Sequence, residues 1–127
     1  MGFLSELKTA AKNTSDRADQ ELEVQKYKSA ISSAKSDNET AYSEIGKLYY
    51  ANVKDPDADF AQKSKELVDR IDANLAKIDE MNKKIEETKA EHEAKREANR
   101  AEQIAEDERR KAEKAAVAEA AKKEKQE

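Results

Sequence analysis

Four acidic residues around the only proline of the chain have a spacing that could bind a metal ion. They match positions 1, 3, 5 and 12 of a calcium-binding loop and are Asp55, Asp57, Asp59 and Glu66. Such a loop needs glycine at position 6, where this chain has Phe60, and Pro56 stands at position 2. Helix capping explains the acids without a metal, with Asp55 as the cap and Pro56 as the first helical residue. We therefore expect no metal site.

Other kinds of reactive site are equally hard to assemble from these residues. The chain has no cysteine, which removes thiol catalysis, disulfides and Cys-based zinc sites. His92 is the only histidine and has no second His or Cys ligand. Carboxylates are abundant, but carboxylates on solvated helix faces are mostly surface charge. The sequence predicts no catalytic residues, no cofactor and no enzymatic activity.

The composition indicates long helices. Of 127 residues 43% are charged and 5% are aromatic, with two glycines and one proline. This composition with a helical period is typical of coiled coils. A net charge of −4 argues against nucleic-acid binding. The N-terminus lacks a basic signal-type region and no apolar run reaches membrane-spanning length, so we expect a cytoplasmic protein.

Two long segments mirror each other about Pro56. Apolar residues recur at intervals of three and four on both sides, and residues whose numbers sum to 112 fall at matching positions. The pairs are Val24–Thr88, Tyr27–Ile85, Ile31–Met81, Ala34–Ile78, Asn38–Asn74, Ala41–Ile71, Ile45–Leu67 and Leu48–Ser64. This pattern predicts an antiparallel two-helix coiled-coil hairpin. Asn38 and Asn74 would form a polar layer in the core that disfavours slipped registers.

The segments outside this pattern set the expected domain boundaries. Residues 1–15 predict a short N-terminal amphipathic helix, with Phe3, Leu4 and Leu7 on its apolar face, followed by a break at the cap-forming residues 13–16. That helix would pack on the hairpin or contact a partner or a membrane surface. The hairpin covers residues 16–92, with its turn at 54–57. Residues 93–127 predict a long, protruding C-terminal helix rich in Ala, Glu and Lys.

One flank of the hairpin carries an apolar band. Heptad position e holds Tyr42 and Tyr49 on the first helix, and Val68 and Leu75 on the second. The residue numbers of Tyr42 and Leu75 sum to 117, as do those of Tyr49 and Val68, so each pair lies at the same level of the hairpin. The opposite flank has charged residues at the same levels. An exposed apolar band marks an interface, so we expect a homodimer through these four residues.

Several motifs resemble those of a known group of proteins. They are M-G-F-L at the start, E-I-G-K-L-Y-Y before the turn, the D-P-D turn, and R-I-D-A-N-L-A-K-I after it. Together they resemble, over roughly residues 1–90, small bacterial zinc-ribbon-domain-containing proteins with an N-terminal helical hairpin ahead of two CxxC knuckles. The resemblance implies the hairpin and a bacterial cytosolic setting. It implies no zinc site, because this chain has no cysteine.

The favoured function is that of a non-enzymatic interaction or scaffold protein with an unknown protein partner. The alternative is a peripheral membrane protein held on the inner leaflet by the helix that carries Phe3, Leu4 and Leu7.

Overall fold

The computed structural model describes residues 2–126, which form two long α-helices joined by a short turn. Helix α1 spans Gly2–Lys54 and helix α2 spans Phe60–Gln126. The helices pack antiparallel on each other, which confirms the predicted all-α helical hairpin.

The hairpin divides into two compact units. The turn unit is Glu21–Thr88, and the terminal unit combines Met1–Gln20 with Lys89–Glu127. Helices α1 and α2 each contribute to both units. Each unit is described by itself below.

The seam of the turn unit has the predicted register. The positions predicted for the seam are buried or half-buried on both helices, and the buried apolar residues among them are Val24, Ala34, Ala41, Ile71 and Ile85. Most of these side chains are small or branched, so the two helices form a narrow seam with no large side chain fully buried among the described residues. A seam of this kind buries modest apolar area, and its stability depends on keeping one register.

The turn differs from the prediction in where α2 begins. Residues 55–59 form the turn and α2 starts at Phe60, so Asp55 does not cap it and Pro56 is not its first residue. The turn is closed by Asp57 instead, whose backbone carbonyl accepts the Phe60 N–H over 3.1 Å and whose side chain accepts the Asp59 N–H over 2.9 Å. An Asp side chain that accepts from the backbone N–H two residues later stabilises a turn at that point.

The break predicted at residues 13–16 is wrong, because α1 runs through them without interruption. The side chains that could cap a new helix there have other partners. Thr14 Oγ1 donates to the Ala10 carbonyl over 2.8 Å, and Asn13 Oδ1 accepts from Asn99 over 3.2 Å. Residues 2–15 are therefore the first part of α1 and do not form a separate helix.

Helix pairing in the terminal unit extends beyond the predicted boundary at residue 92. Ser5 Oγ donates to Glu106 Oε2 over 3.4 Å, and the seam consists of polar residues. On α1 these are Ser5, Thr9, Asn13, Asp16 and Gln20, and on α2 they are His92, Arg96, Asn99, Gln103 and Glu106. The numbers of matching residues on the two helices again sum to 111 or 112, so the mirrored numbering applies within this unit too.

The spacing of seam residues explains why a heptad pattern does not predict helix pairing beyond residue 92. From Thr88 onward the seam residues of α2 follow at intervals of four, four, three, four and three, and two consecutive intervals of four shift the heptad phase. Extrapolated heptads place Lys95 in the seam. The structure has the Lys95 side chain 65% exposed and the Arg96 side chain 16% exposed.

The last part of α2 has the exposure expected of a protruding helix, but this part begins later than predicted. Every residue from 108 to 125 is exposed, whereas Gln103, Glu106 and Asp107 are half-buried. The predicted tail of residues 93–127 therefore includes a packed part, up to Asp107, and an exposed part after it.

We expect the exposed part of α2 to be the least stable part of the helix. Helical stability in proteins comes mainly from packing, which residues 108–125 lack. Their amides should exchange with deuterium much faster than those of residues 67–88, as measured by hydrogen-exchange NMR or mass spectrometry. Equal protection of the two segments would contradict this expectation.

Candidate interaction surface

A hydrogen-bonded polar cluster crosses the seam in the middle of the turn unit. Asn74 Nδ2 donates to Asn38 Oδ1 over 2.8 Å and to Asp37 Oδ2 over 2.6 Å. Arg70 donates to both carboxylate oxygens of Asp37, with its Nε 2.8 Å from Oδ2. Asn38 is buried. The structure thus brings the two asparagines of the predicted polar layer together and adds an ion pair that the register alone did not reveal.

Asp37 and Arg70 lie on one flank of the hairpin, where their ion pair links α1 to α2. Arg70 Nη1 also lies 3.7 Å from Glu44 Oε2. The hydrogen bonds from Arg70 and Asn74 lower the pKa of Asp37 from 3.8 to about 2, and the pairing raises the pKa of Arg70. This charged flank has its side chains engaged with each other across the two helices.

The opposite flank carries the apolar band, and its side chains are open to solvent. Tyr42 is 53% exposed, Tyr49 63%, Val68 45% and Leu75 47%. All four belong to the turn unit and stand at heptad position e, next to the seam residues. Val53 is also exposed and lies one helical turn after Tyr49, so it continues this band. Spacing from Tyr49 could have indicated Val53, but position e alone does not include it.

Gly46 lies between Tyr42 and Tyr49 on this apolar flank, four residues after one and three before the other. A glycine inside a helix is destabilising by about 1 kcal/mol relative to alanine. Nothing in the hairpin requires it, since a Cβ built at Gly46 meets no atom within 4 Å and the residue does not have positive φ. Gly46 therefore leaves an open notch between two exposed tyrosines.

A second apolar surface lies at the beginning of α1, in the terminal unit. Phe3, Leu4 and Leu7 are 69%, 67% and 51% exposed, while Ser5 is buried and Thr9 half-buried. Two small polar residues of this segment thus pack while its large apolar residues face solvent, the reverse of the usual amphipathic arrangement. These three predicted membrane or partner contact residues therefore form an exposed N-terminal apolar face in the terminal unit.

The polar seam of the terminal unit is organised around a buried carboxylate. Asp16 Oδ1 lies 2.6 Å from His92 Nδ1, Asp16 Oδ2 accepts from Arg96 Nη1 over 3.2 Å, and Arg96 also donates to Gln20 over 2.7 Å. Burial raises the pKa of Asp16, but the hydrogen bond and charge of His92 together with Lys95 and Arg96 outweigh burial and lower it. Sequence reasoning treated His92 as isolated, although Gln20 and Asp16 match His92 and Arg96 in the mirrored numbering.

This polar network has the partners of a structural ion pair. A His–Asp pair serves catalysis when the second ring nitrogen reaches a nucleophile or a substrate. The bonds of Asp16 to His92 and Arg96, and of Gln20 to Arg96, all link the two helices. The geometry of the network therefore accounts for helix pairing in the terminal unit.

The described residues contain neither a metal-ligand cluster nor a membrane-spanning helix. In that part of the chain no group of three or more His, Cys, Asp or Glu side chains could hold a metal ion. Of the calcium-loop acids, Asp57 forms an ion pair with Lys63 at 2.9 Å and bonds the turn backbone. Neither described helix combines the length and apolar character that crossing a membrane requires.

Comparison with known proteins gives no relatives for this chain. No family model matches it, and neither curated proteins nor solved structures give a significant match. The resemblance to zinc-ribbon-domain-containing proteins stays a prediction.

The Asp37 cluster makes stability depend on pH in acid. A carboxyl whose pKa is lowered in the folded state stabilises the fold fully above its unfolded value of 3.8, and this contribution is lost as pH falls through about 2. The free energy of unfolding should therefore decrease between pH 4 and pH 2. NMR titration of the Asp37 carboxyl measures its pKa directly.

Replacing Arg70 isolates this contribution. Arg70→Met should return the Asp37 pKa toward 3.8 and weaken the acid dependence of stability, measured by urea unfolding at several pH values. The matched control is Lys65→Gln, which removes an exposed cation of the same helix that pairs with Asp69. A Lys65→Gln effect equal to that of Arg70→Met would contradict a specific role of Arg70.

Proposed function

We propose that this chain is a non-enzymatic coiled-coil interaction protein that binds a protein partner through the apolar flank of its turn unit. The observation that carries the proposal is the difference between the two flanks. One flank has its charges paired across the helices, and the other exposes two tyrosines, a valine and a leucine at the same levels.

The composition of the apolar flank favours protein binding. Aromatic residues are enriched at the centres of protein interfaces, because they bury large area with few rotatable bonds. Tyrosine adds a hydroxyl that can hydrogen bond at the edge of an interface. The two-helix seam does not need this apolar band for its own packing, and in a monomer the band stays in water. Such an exposed apolar band is typical of a docking surface.

The hairpin supplies a rigid support for this surface. Tyr42 and Tyr49 project from a helix whose register is fixed by the bonds of Asn38 and Asn74 across the seam. A surface carried by packed helices loses little conformational entropy on binding. The proposed role is therefore a spacer or docking module.

The test is capture of partner proteins from the organism that encodes the chain, using Tyr49→Lys and a matched control. Tyr49→Lys places a charge in the middle of the apolar flank and should abolish specific capture. The control is Tyr50→Lys, because Tyr50 is the next residue, is 67% exposed, and pairs with Lys54 at 5.5 Å from its ring centre. Equal losses in both variants, or unchanged capture by Tyr49→Lys, would refute the assignment of this flank.

A second candidate function is peripheral membrane association, which the N-terminal apolar face favours. Phe3, Leu4 and Leu7 are exposed along one side of α1, as in helices that lie in a lipid interface. Lys8 and Lys12 in the same segment would contact anionic headgroups, while Glu6 opposes them. Electrostatic attraction is therefore weak, and apolar insertion would supply most of the affinity.

Co-sedimentation with vesicles of phosphatidylglycerol and phosphatidylethanolamine tests this candidate. Leu4→Ser combined with Leu7→Ser should abolish binding of the full chain. The control is Leu22→Ser, which removes another exposed leucine, 72% exposed, from the same helix. Negligible binding by the unmodified chain would rule out the membrane candidate and leave protein binding.

A further inference from the structure

We propose that a second copy of this chain binds the apolar flank in antiparallel orientation, with the Gly46 residues of the two copies facing each other at a two-fold axis. This inference rests on the proposed function, since it names the partner of the same flank. It follows from the position of Gly46, from the shape of the apolar flank and from the charges on either side of it.

Gly46 is the first observation. It interrupts a helix that is otherwise without glycine between Gly2 and the turn, and the hairpin gives no reason for it, because the space around it is empty. A residue without a side chain is needed where another backbone approaches closely. Because no such approach occurs among the described residues, we take the backbone that comes close to belong to another molecule.

The shape of the surface is the second observation. Tyr42 and Tyr49 stand on either side of the Gly46 notch, and Val68 and Leu75 line the same flank on α2. Two copies related by a two-fold axis through the notch would each place tyrosines against the other copy's flank. A two-fold contact uses one self-complementary patch on both copies, and two hairpins paired in this way form a four-helix section.

Charge complementarity is the third observation, and it selects the antiparallel orientation. Lys35 precedes Gly46 by 11 residues, and the turn acid Asp55 follows it by 9, whereas Asp57 already pairs with Lys63 of its own chain. At 1.5 Å per residue Lys35 lies about 17 Å from the axis along α1, and Asp55, the first residue after α1, lies about 14 Å from it on the other side. An antiparallel pair therefore sets Lys35 of one copy near Asp55 of the other, whereas a parallel pair sets lysine against lysine and acid against acid.

The chain contains no cysteine, so single introduced cysteines test the arrangement cleanly. Gly46→Cys should form a disulfide-linked dimer under mild oxidation, because the two residues meet at the axis. A disulfide requires Cα atoms about 4.4–6.8 Å apart. The control is Ser32→Cys, which lies two heptads before Gly46 and is exposed. In the antiparallel pair the two Ser32 residues are about 42 Å apart at 1.5 Å per residue, so this variant should not cross-link.

Light scattering of the full chain gives the second readout. The unmodified chain should have the mass of a dimer at micromolar concentration, and Gly46→Leu should raise the dimer dissociation constant about tenfold or more by filling the notch. Circular dichroism should show Gly46→Leu with undiminished helix content, because leucine is a better helix former than glycine. Unchanged association of a folded Gly46→Leu variant would overturn the close approach.

The remaining outcomes separate this inference from the proposed function. Equal cross-linking of Gly46→Cys and Ser32→Cys would mean a parallel pair, and cross-linking of neither would exclude the axis at Gly46. At a protein concentration of about 100 micromolar a dimer of useful affinity would be populated. A monomeric mass up to that concentration would therefore overturn the second copy as partner. If Tyr49→Lys nevertheless abolished capture of another protein, the apolar flank would remain the docking surface with a different occupant.

Discussion

The register of the turn unit depends on one hydrogen-bonded layer, in which the Asn74 amide bonds both Asn38 and Asp37. The apolar seam around it consists mostly of small or branched side chains such as Ala34, Ala41 and Ile71. A seam of similar layers tolerates a slip of one heptad at small energetic loss. Because a slip would leave a buried asparagine opposite an apolar side chain, the polar layer makes the slipped registers unfavourable.

Once the register is fixed, it also determines the character of the two flanks. The same alignment that sets Asn38 opposite Asn74 brings Arg70 within reach of Asp37 and Glu44 on one side. On the other side it sets Tyr42 level with Leu75, and Tyr49 level with Val68. The charged flank strengthens the hairpin, and the apolar flank contributes little to the seam. Fold and candidate interface thus follow from one alignment of two helices.

The hairpin and its register could be predicted because apolar residues repeat every seven positions on both sides of Pro56. The apolar flank is a prediction of the same kind, since heptad positions identify which residues border the seam, and its four side chains are exposed in the structure. The turn could not, because several acids near Pro56 can cap a helix or close a turn, and the choice of Asp57 depends on backbone geometry. The role of Gly46 in the hairpin also needed coordinates, since sequence alone does not distinguish a close approach from an empty notch.

The polar seam of the terminal unit escaped prediction for a different physical reason. A search for apolar periodicity finds Phe3, Leu4 and Leu7 and assigns the buried face to them, whereas Ser5 and Thr9 pack. Only the mirrored numbering, which does not depend on residue type, relates Asp16 to Arg96 and Gln20 to His92.

The terminal unit therefore gains little stabilisation from burying apolar groups, which is the dominant favourable term in folding. Its helices pair through charged and amide hydrogen bonds centred on the buried Asp16 carboxylate, which replace bonds to water and add modest net stability. At the same time it exposes the apolar side chains of Phe3, Leu4 and Leu7 to solvent. A unit that buries polar groups and exposes apolar ones is marginal in water, and it gains most when another surface covers that apolar face.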